Sequence, residues 1–146
     1  MMFIGQYHTK FDGKNKVEIP ALFKELLTGG AYITQGFDRN LLVLGSKAFH
    51  GIYGRMVGTN LADPLARQLT RMILGTAAPA KVDENGRLQI PERLCAFAGL
   101  DTEVVLVGQG EHFEIWSSHE WSTQETSLFD VEANATRFAA FEICAN

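Results

Sequence analysis

A nine-residue pattern occurs twice in this chain. Asp12-Gly13-Lys14-Asn15-Lys16-Val17-Glu18-Ile19-Pro20 reappears 71 residues later as Asp83-Glu84-Asn85-Gly86-Arg87-Leu88-Gln89-Ile90-Pro91. Both copies run Asp, three residues, a cation, an aliphatic residue, a polar residue and then Ile-Pro. The echo continues downstream. Gly36 matches Gly108, Leu42-Val43-Leu44 matches Glu114-Ile115-Trp116, and Phe49 matches Trp121, now 72 residues apart through one inserted residue. Chance supplies a single motif pair; it rarely supplies the following glycine, strand and aromatic at constant spacing. A repeat of this period predicts two copies of one small unit within the 146 residues. A unit of about 70 residues is marginal alone and gains from packing against a partner.

Local signals fill in each copy. Phe3, Tyr7 and Phe11 share one parity, with Gly5 and Thr9 between them, which predicts a half-buried strand. Turns follow at Asp12 to Asn15 and at Glu84-Asn85-Gly86, and Leu88 and Ile90 then alternate with Gln89 as a short strand. Pro20 and Pro91 open short helices, where a first turn tolerates a missing N–H. Leu22, Phe23, Leu26 and Leu27 keep helical spacing in one, and Leu94, Phe97 and Ala98 in the other; Gly29-Gly30 and Gly99 end them. Further strands are expected at Tyr32–Thr34 and Glu103–Val107. Beyond the turns Gly36-Phe37-Asp38 and Gly108-Gln109-Gly110, two more are expected at Leu41–Leu44 and Phe113–Trp116.

Ser46, and Ser117 or Ser118, are expected to cap helices carrying Phe49 and Trp121. Asp63 caps a connecting helix with Pro64 at its first position and Leu65, Leu69, Met72 and Ile73 as its apolar face. The chain thus divides into a first repeat over 1–58, a connecting helix over 59–76, a second repeat over 77–122 and a tail over 123–146. In the tail Asn134 is expected to cap a last short helix. Phe129, Phe138 and Phe141 are too apolar for a solvated segment, so they are expected to pack on their own subunit or a neighbour. The fold class is mainly β with short α-helices, that is, α+β.

Composition narrows the function. Thirteen Lys and Arg against 17 Asp and Glu give a net charge of −4, which opposes bulk attraction to nucleic acid. Any nucleic-acid site must therefore be a local basic patch. Cys95 and Cys144 stand in unrelated contexts and suit a reducing cytoplasm. The start of the chain lacks a signal-peptide pattern, and no apolar run approaches the ~20 residues of a membrane helix, so a soluble protein without membrane contact is expected. His8, His50, His112 and His119 lack metal-ligand spacing with the cysteines. His112 lies near Glu111 and Glu114 in an expected hairpin turn with no nucleophile nearby, and Gly108-Gln109-Gly110 lacks the third glycine of a nucleotide fingerprint. No catalysis, cofactor or metal is expected, and Trp116 and Trp121 read as core or interface aromatics.

These residues resemble the MraZ family. The resemblance rests on the opening Met2-Phe3-Ile4-Gly5-Gln6-Tyr7, the two Asp-x-x-x-cation…Ile-Pro motifs, and the run from Gly99-Leu100-Asp101 through Val104-Val105-Leu106-Val107-Gly108 to Phe113-Glu114-Ile115-Trp116. It spans about residues 2–121. It implies a duplicated swapped-hairpin, AbrB-like β-barrel with a pseudo-two-fold axis inside one chain. It further implies a ring-like homo-oligomer that binds short direct repeats in double-stranded DNA upstream of the division and cell-wall gene cluster. The implied role is transcription regulation in the cytoplasm, with association to the nucleoid. The family motif has Asp-x-Lys-Gly-Arg in its first copy and Asp-x-x-Gly-Arg in its second. Asp83, Gly86 and Arg87 fit; the first copy carries Asn15 for Gly and Lys16 for Arg. Asn tolerates a left-handed backbone. Lys keeps the charge of Arg but loses its planar fork.

On this reading Asp12 and Asp83 orient the motif, by accepting backbone N–H bonds or by pairing with the cation four residues on. Asn85 and Gly86 shape the second turn. Arg87 and Lys16 face the DNA, helped by Lys14, Lys10 and Lys81. The plainer reading of Asp-x-x-x-Arg is a surface ion pair that stabilises a hairpin. Two other functions suit the same fold. One is an oligomeric protein-interaction scaffold with weak or lost DNA binding. The other is an antitoxin-like autoregulator, which usually carries one copy and a disordered tail.

Overall fold

The computed structural model describes residues 1–141 and 143. The order of elements is β1 (Gln6–Lys10), β2 (Lys16–Glu18), α1 (Ala21–Leu26), β3 (Ala31–Gln35), β4 (Asn40–Gly45), α2 (Ser46–Val57) and α3 (Pro64–Thr76). There follow β5 (Ala78–Pro79), β6 (Lys81–Val82), β7 (Arg87–Gln89), α4 (Glu92–Ala98), β8 (Glu103–Gly108), β9 (His112–Ser117), α5 (Ser118–Leu128) and α6 (Val131–Arg137), with a final 3-10 turn at Ala139–Phe141. This is the α+β class with short helices. The strands form two antiparallel sheets, one ordered β1-β8-β9-β4-β3-β5 and one ordered β2-β7-β6.

Both sheets draw on both halves of the chain. Tyr7 pairs with Leu106, Leu42 with Glu114, and Val17 with Leu88. The physical reason lies in side-chain alternation. Val17, Ile19, Leu88 and Ile90 turn inward from the small sheet, while Ile33, Leu41, Val43, Leu106, Phe113 and Ile115 turn inward from the large one, into one buried cluster. That cluster therefore takes its members from both halves of the chain.

Two proline-led helices cap it. Phe23 of α1 is fully buried, with its ring 5.0 Å from Phe3, 5.1 Å from Tyr7 and 4.8 Å from Phe113. Burial of one such side chain contributes about 1.5–3 kcal/mol. From the second copy Leu94 and Ala98 of α4 enter the same cluster, and Gly99 ends that helix in the left-handed conformation at φ 63°. The other face of the large sheet carries two smaller clusters. Leu42, Leu44, Phe49, Met56 and Ile73 pack under α2 and α3, and Val105, Val107, Trp116 and Trp121 pack under α5.

Several local expectations need correction. Ser46 is the first residue of α2, not its cap; Gly45 precedes it and makes no side-chain capping bond. Ser117 does cap α5, accepting from the Glu120 N–H at 3.0 Å. Asp130 caps α6, and Asn134 lies inside that helix. His112 is the first residue of β9 rather than part of a turn. Asp63 caps α3 through Leu65 N–H as the sequence implied, yet of the apolar face only Ile73 is buried; Leu65 and Leu69 are exposed. Phe129, Phe138 and Phe141 are also exposed, so the tail does not bury them on its own subunit. Cys95 is buried, and desolvation pushes its thiol up to about 11; Cys144 lies outside the described residues.

Candidate nucleic-acid interface

The two motif turns are built alike. Asp12 N–H donates to the Lys16 carbonyl at 2.9 Å, and Asp83 N–H donates to the Arg87 carbonyl at 2.9 Å. Asp12 Oδ1 accepts from Lys14 N–H at 2.9 Å and Lys16 N–H at 3.0 Å. Asp83 Oδ1 accepts from Asn85 N–H at 2.8 Å and Arg87 N–H at 3.0 Å. Aspartate suits the position because its short side chain reaches back to the amides of its own turn. Asn15 takes φ 61° where Gly86 takes φ 75°, so Asn serves the left-handed position that glycine fills in the second copy.

The second carboxylate oxygens reach across. Lys16 Nζ donates to Asp83 Oδ2 at 3.0 Å, and Arg87 Nη1 stands 3.6 Å from Asp12 Oδ2. Each cation therefore meets the aspartate of the other turn, not the one four residues before it, which corrects the sequence expectation. The cause is the antiparallel pairing of β2 with β7, which sets Lys16 opposite Gln89 and Glu18 opposite Arg87. That register brings each strand's cation to the other strand's turn. Two backbone bonds follow the same exchange: Ile19 N–H donates to Gly86 O at 3.0 Å, and Ile90 N–H to Asn15 O at 2.9 Å.

These bonds hold both aspartates ionised. Backbone donation from Lys16 first, with the charge of Arg87 adding, lowers the pKa of Asp12; donation from Arg87 N–H, then from the Lys16 ammonium, lowers that of Asp83. The side chains of all four residues remain between 29% and 48% exposed. Ion pairs so open to water add little stability. Their effect is to fix where two cationic heads stand on an outward face.

The other expected residues surround that face. Lys81 lies in β6, paired with Gln89, and is exposed. Lys14 is exposed at the tip of the first turn, and Lys10 is exposed at the end of β1, opposite Glu103. Asn85 is bound through its backbone to Asp83, and Gly86 supplies the turn. Among the described residues Lys10, Lys14 and Lys81 have no carboxylate within ion-pair distance. Sequence reasoning missed Gln89. Its side-chain amide donates to the carbonyls of Lys14 at 3.0 Å and Asn15 at 3.3 Å, bracing the first turn from the second copy. Its place as the polar residue between cation and Ile-Pro was the available signal.

Among the described residues no helix is long and apolar enough to cross a membrane, and no group of histidine, cysteine and carboxylates could hold a metal ion.

Comparison with known proteins adds a family. Residues 72–141 match the family model of the MraZ protein, described as antitoxin-like. A transcriptional regulator MraZ of Roseiflexus castenholzii is 36% identical over 138 residues, covering 94% of both chains. One from Thermomicrobium roseum is 33% identical over 127 residues, with 87% of this chain and 89% of its own covered. One from Herpetosiphon aurantiacus is 33% identical over 143 residues, with 97% and 100% covered. Identity of about a third over nearly the full length of each relative shows the family: the chain belongs to the MraZ family.

Proposed function

We propose that this protein is a transcription regulator, not an enzyme, that binds double-stranded DNA through the outward face of the β2-β7-β6 sheet. The observation that carries the reading is the pair of crossed contacts, Lys16 to Asp83 and Arg87 to Asp12. They hold one cation on each of two paired strands, diagonally across an open face, with Lys14, Lys81 and Lys10 around them, in a chain whose net charge is −4. The names of its relatives support the same role. In this role the protein works in the cytoplasm at the nucleoid. Its target, taken from the family resemblance, is a set of short direct repeats upstream of the division and cell-wall gene cluster.

The two motif copies are read as an internal duplication, with repeats over 1–58 and 77–122 joined by 59–76 and followed by the tail. Support comes from the constant offset of 71 residues between Lys16 and Arg87, Asp12 and Asp83, and Ile19 and Ile90 in the reciprocal contacts. A ring-like homo-oligomer is supported by charge and exposed apolar surface. The α2–α3 hairpin carries Lys47, Arg55, Arg67 and Arg71 against Asp63, whereas residues 118–141 carry Glu120, Glu125, Asp130 and Glu132 against Arg137. Leu61, Leu65 and Leu69 are exposed on the first, and Phe129, Phe138 and Phe141 on the second. Complementary patches at different places on one subunit favour head-to-tail contact, which closes into a ring when the rotation between subunits divides a full turn.

The test is fluorescence anisotropy of a duplex from the protein's own upstream region against a scrambled duplex, at two salt concentrations. Arg87→Ala is expected to abolish the preference for the first duplex while leaving the assembly mass unchanged. Equal, feeble binding of both duplexes by wild type and variant overturns the reading and favours the scaffold.

A further inference from the structure

The outward face of the small sheet repeats itself in backbone but not in charge. Lys16, Gln89 and Lys81 stand in one row across its three strands, and Glu18 and Arg87 in the next. Val17 and Leu88, between the rows, are fully buried, so both polar rows share the outer face. The offset of 71 maps this face onto itself. Lys16 falls on Arg87, Glu18 on Gln89, Lys10 on Lys81 and Lys14 on Asn85, about a point between the paired Val17 and Leu88. A face with true two-fold symmetry meets DNA equally well in either direction, as two-fold proteins match palindromes.

Its two flanks differ. Beside the first turn stand Lys14 and Lys81, with the neutral Gln89 tied to the Lys14 and Asn15 carbonyls. Besides Asp12, which is tied to Arg87, Glu92 stands on this side and lines a hollow of about 320 Å³ together with Gln89 and Lys81. Beside the second turn, Glu84 takes the exposed tip, and Lys10 has Glu103 opposite it in the β1–β8 ladder. Glu18 takes the place of Gln89 there and lines the matching hollow of about 260 Å³ with His8 and Thr9. Thr9 Oγ1 donates to the Glu18 carbonyl at 2.9 Å, fixing that residue to the rim.

We propose that DNA engages the two central cations and the Lys14–Lys81 flank, and that Glu18 holds the phosphate backbone off the opposite flank, so that the subunit sits on its duplex in one direction. The proposal rests on the DNA-binding reading above and makes Glu18 a determinant of orientation. A carboxylate a few ångström from a phosphate weakens binding by about fivefold in water, and by more where water is excluded. Glutamine in the same place is free of that repulsion and can donate to a phosphate oxygen. Subunits directed alike around a head-to-tail assembly then match DNA elements repeated in one orientation.

The experiment titrates the full-length protein and four variants against a labelled random-sequence duplex over a range of salt. Glu18→Gln is expected to tighten binding about fivefold, and Gln89→Glu to weaken it by a similar factor. Lys81→Ala is expected to cost several-fold more than Lys10→Ala and to lower the salt slope by about 0.9. On the protein's own upstream element, hydroxyl-radical footprints are expected to be lopsided in wild type, with Glu18→Gln extending protection on the short side. Circular dichroism and assembly mass check that each variant is folded. The proposal is overturned if wild type binds but Glu18→Gln leaves affinity, salt slope and footprint unchanged, or if the Lys10 and Lys81 variants lose equally. A wild type with no salt-dependent affinity for any duplex removes the DNA-binding reading itself, and this proposal with it.

Discussion

Lys16 donates to Asp83, a carboxylate 67 residues away, at 3.0 Å, while Asp12 in its own turn accepts only its backbone N–H. The two aspartates thus divide their work: one oxygen shapes the local turn and the other aims the distant cation. Exposed pairs of this kind add little to stability. Lys16→Ala is therefore expected to leave the thermal midpoint nearly unchanged and to weaken binding of all duplexes alike, with a salt slope shallower by about 1. A large fall in melting temperature with unchanged DNA affinity would return the motif to a purely structural role.

Lys16→Arg tests what the first copy lost. A guanidinium held by Asp83 offers a planar fork where the ammonium offers a point charge. Discrimination between the upstream and scrambled duplexes is expected to rise about fivefold or more, the low end for a bidentate base contact. Equal gains on both duplexes would assign the position to phosphate contact alone.

The aspartates also set an acid limit. Both have pKa values below the ordinary 3.8, so their contribution to stability is present above that value and lost as pH falls through the folded-state pKa. Asp12→Asn with Asp83→Asn is expected to melt lower than wild type at neutral pH. The gap should narrow as pH drops below about 4. Thermal melts across that range check it, and a gap independent of pH contradicts the assignment.

Gly108 is required by a close approach. A Cβ built there would stand 2.5 Å from the Ile4 Cα and N and from the Phe3 carbonyl carbon, which are backbone atoms that cannot swing aside. Gly108→Ala is expected to destabilise by about 1–3 kcal/mol, since the segment before β1 must shift. Urea denaturation measures it.

The exposed phenylalanines carry the assembly prediction. Replacing Phe129, Phe138 and Phe141 by serine removes the exposed phenylalanine surface of the acidic tail while leaving the described core untouched. The assembly is expected to fall to smaller species by light scattering, with circular dichroism of the subunit retained. An unchanged mass would exclude the tail from the interface.

The sequence by itself determined what depends on neighbours a few residues apart. Asp12 and Asp83 had to bond amides two and four residues on, Pro20 and Pro91 had to open helices, and Asp63 had to cap α3, because each acts within one turn of chain. The repeat also made the matching turns and the α+β class legible. Where two side chains compete for one local job, as Asn134 and Asp130 did for the α6 cap, spacing alone chose wrongly. Only the tertiary structure decided which aspartate meets which cation, because strand register is set by burying Val17 and Leu88 together, not by the spacing inside either motif. It likewise decided that Gln89 braces the first turn, and that Leu65 and Leu69 of α3 stay in water. An apolar stripe says that a face seeks cover; what covers it depends on how far the neighbouring sheet extends, and here it covers Met72, Ile73 and Leu74 and leaves Leu65 and Leu69 exposed.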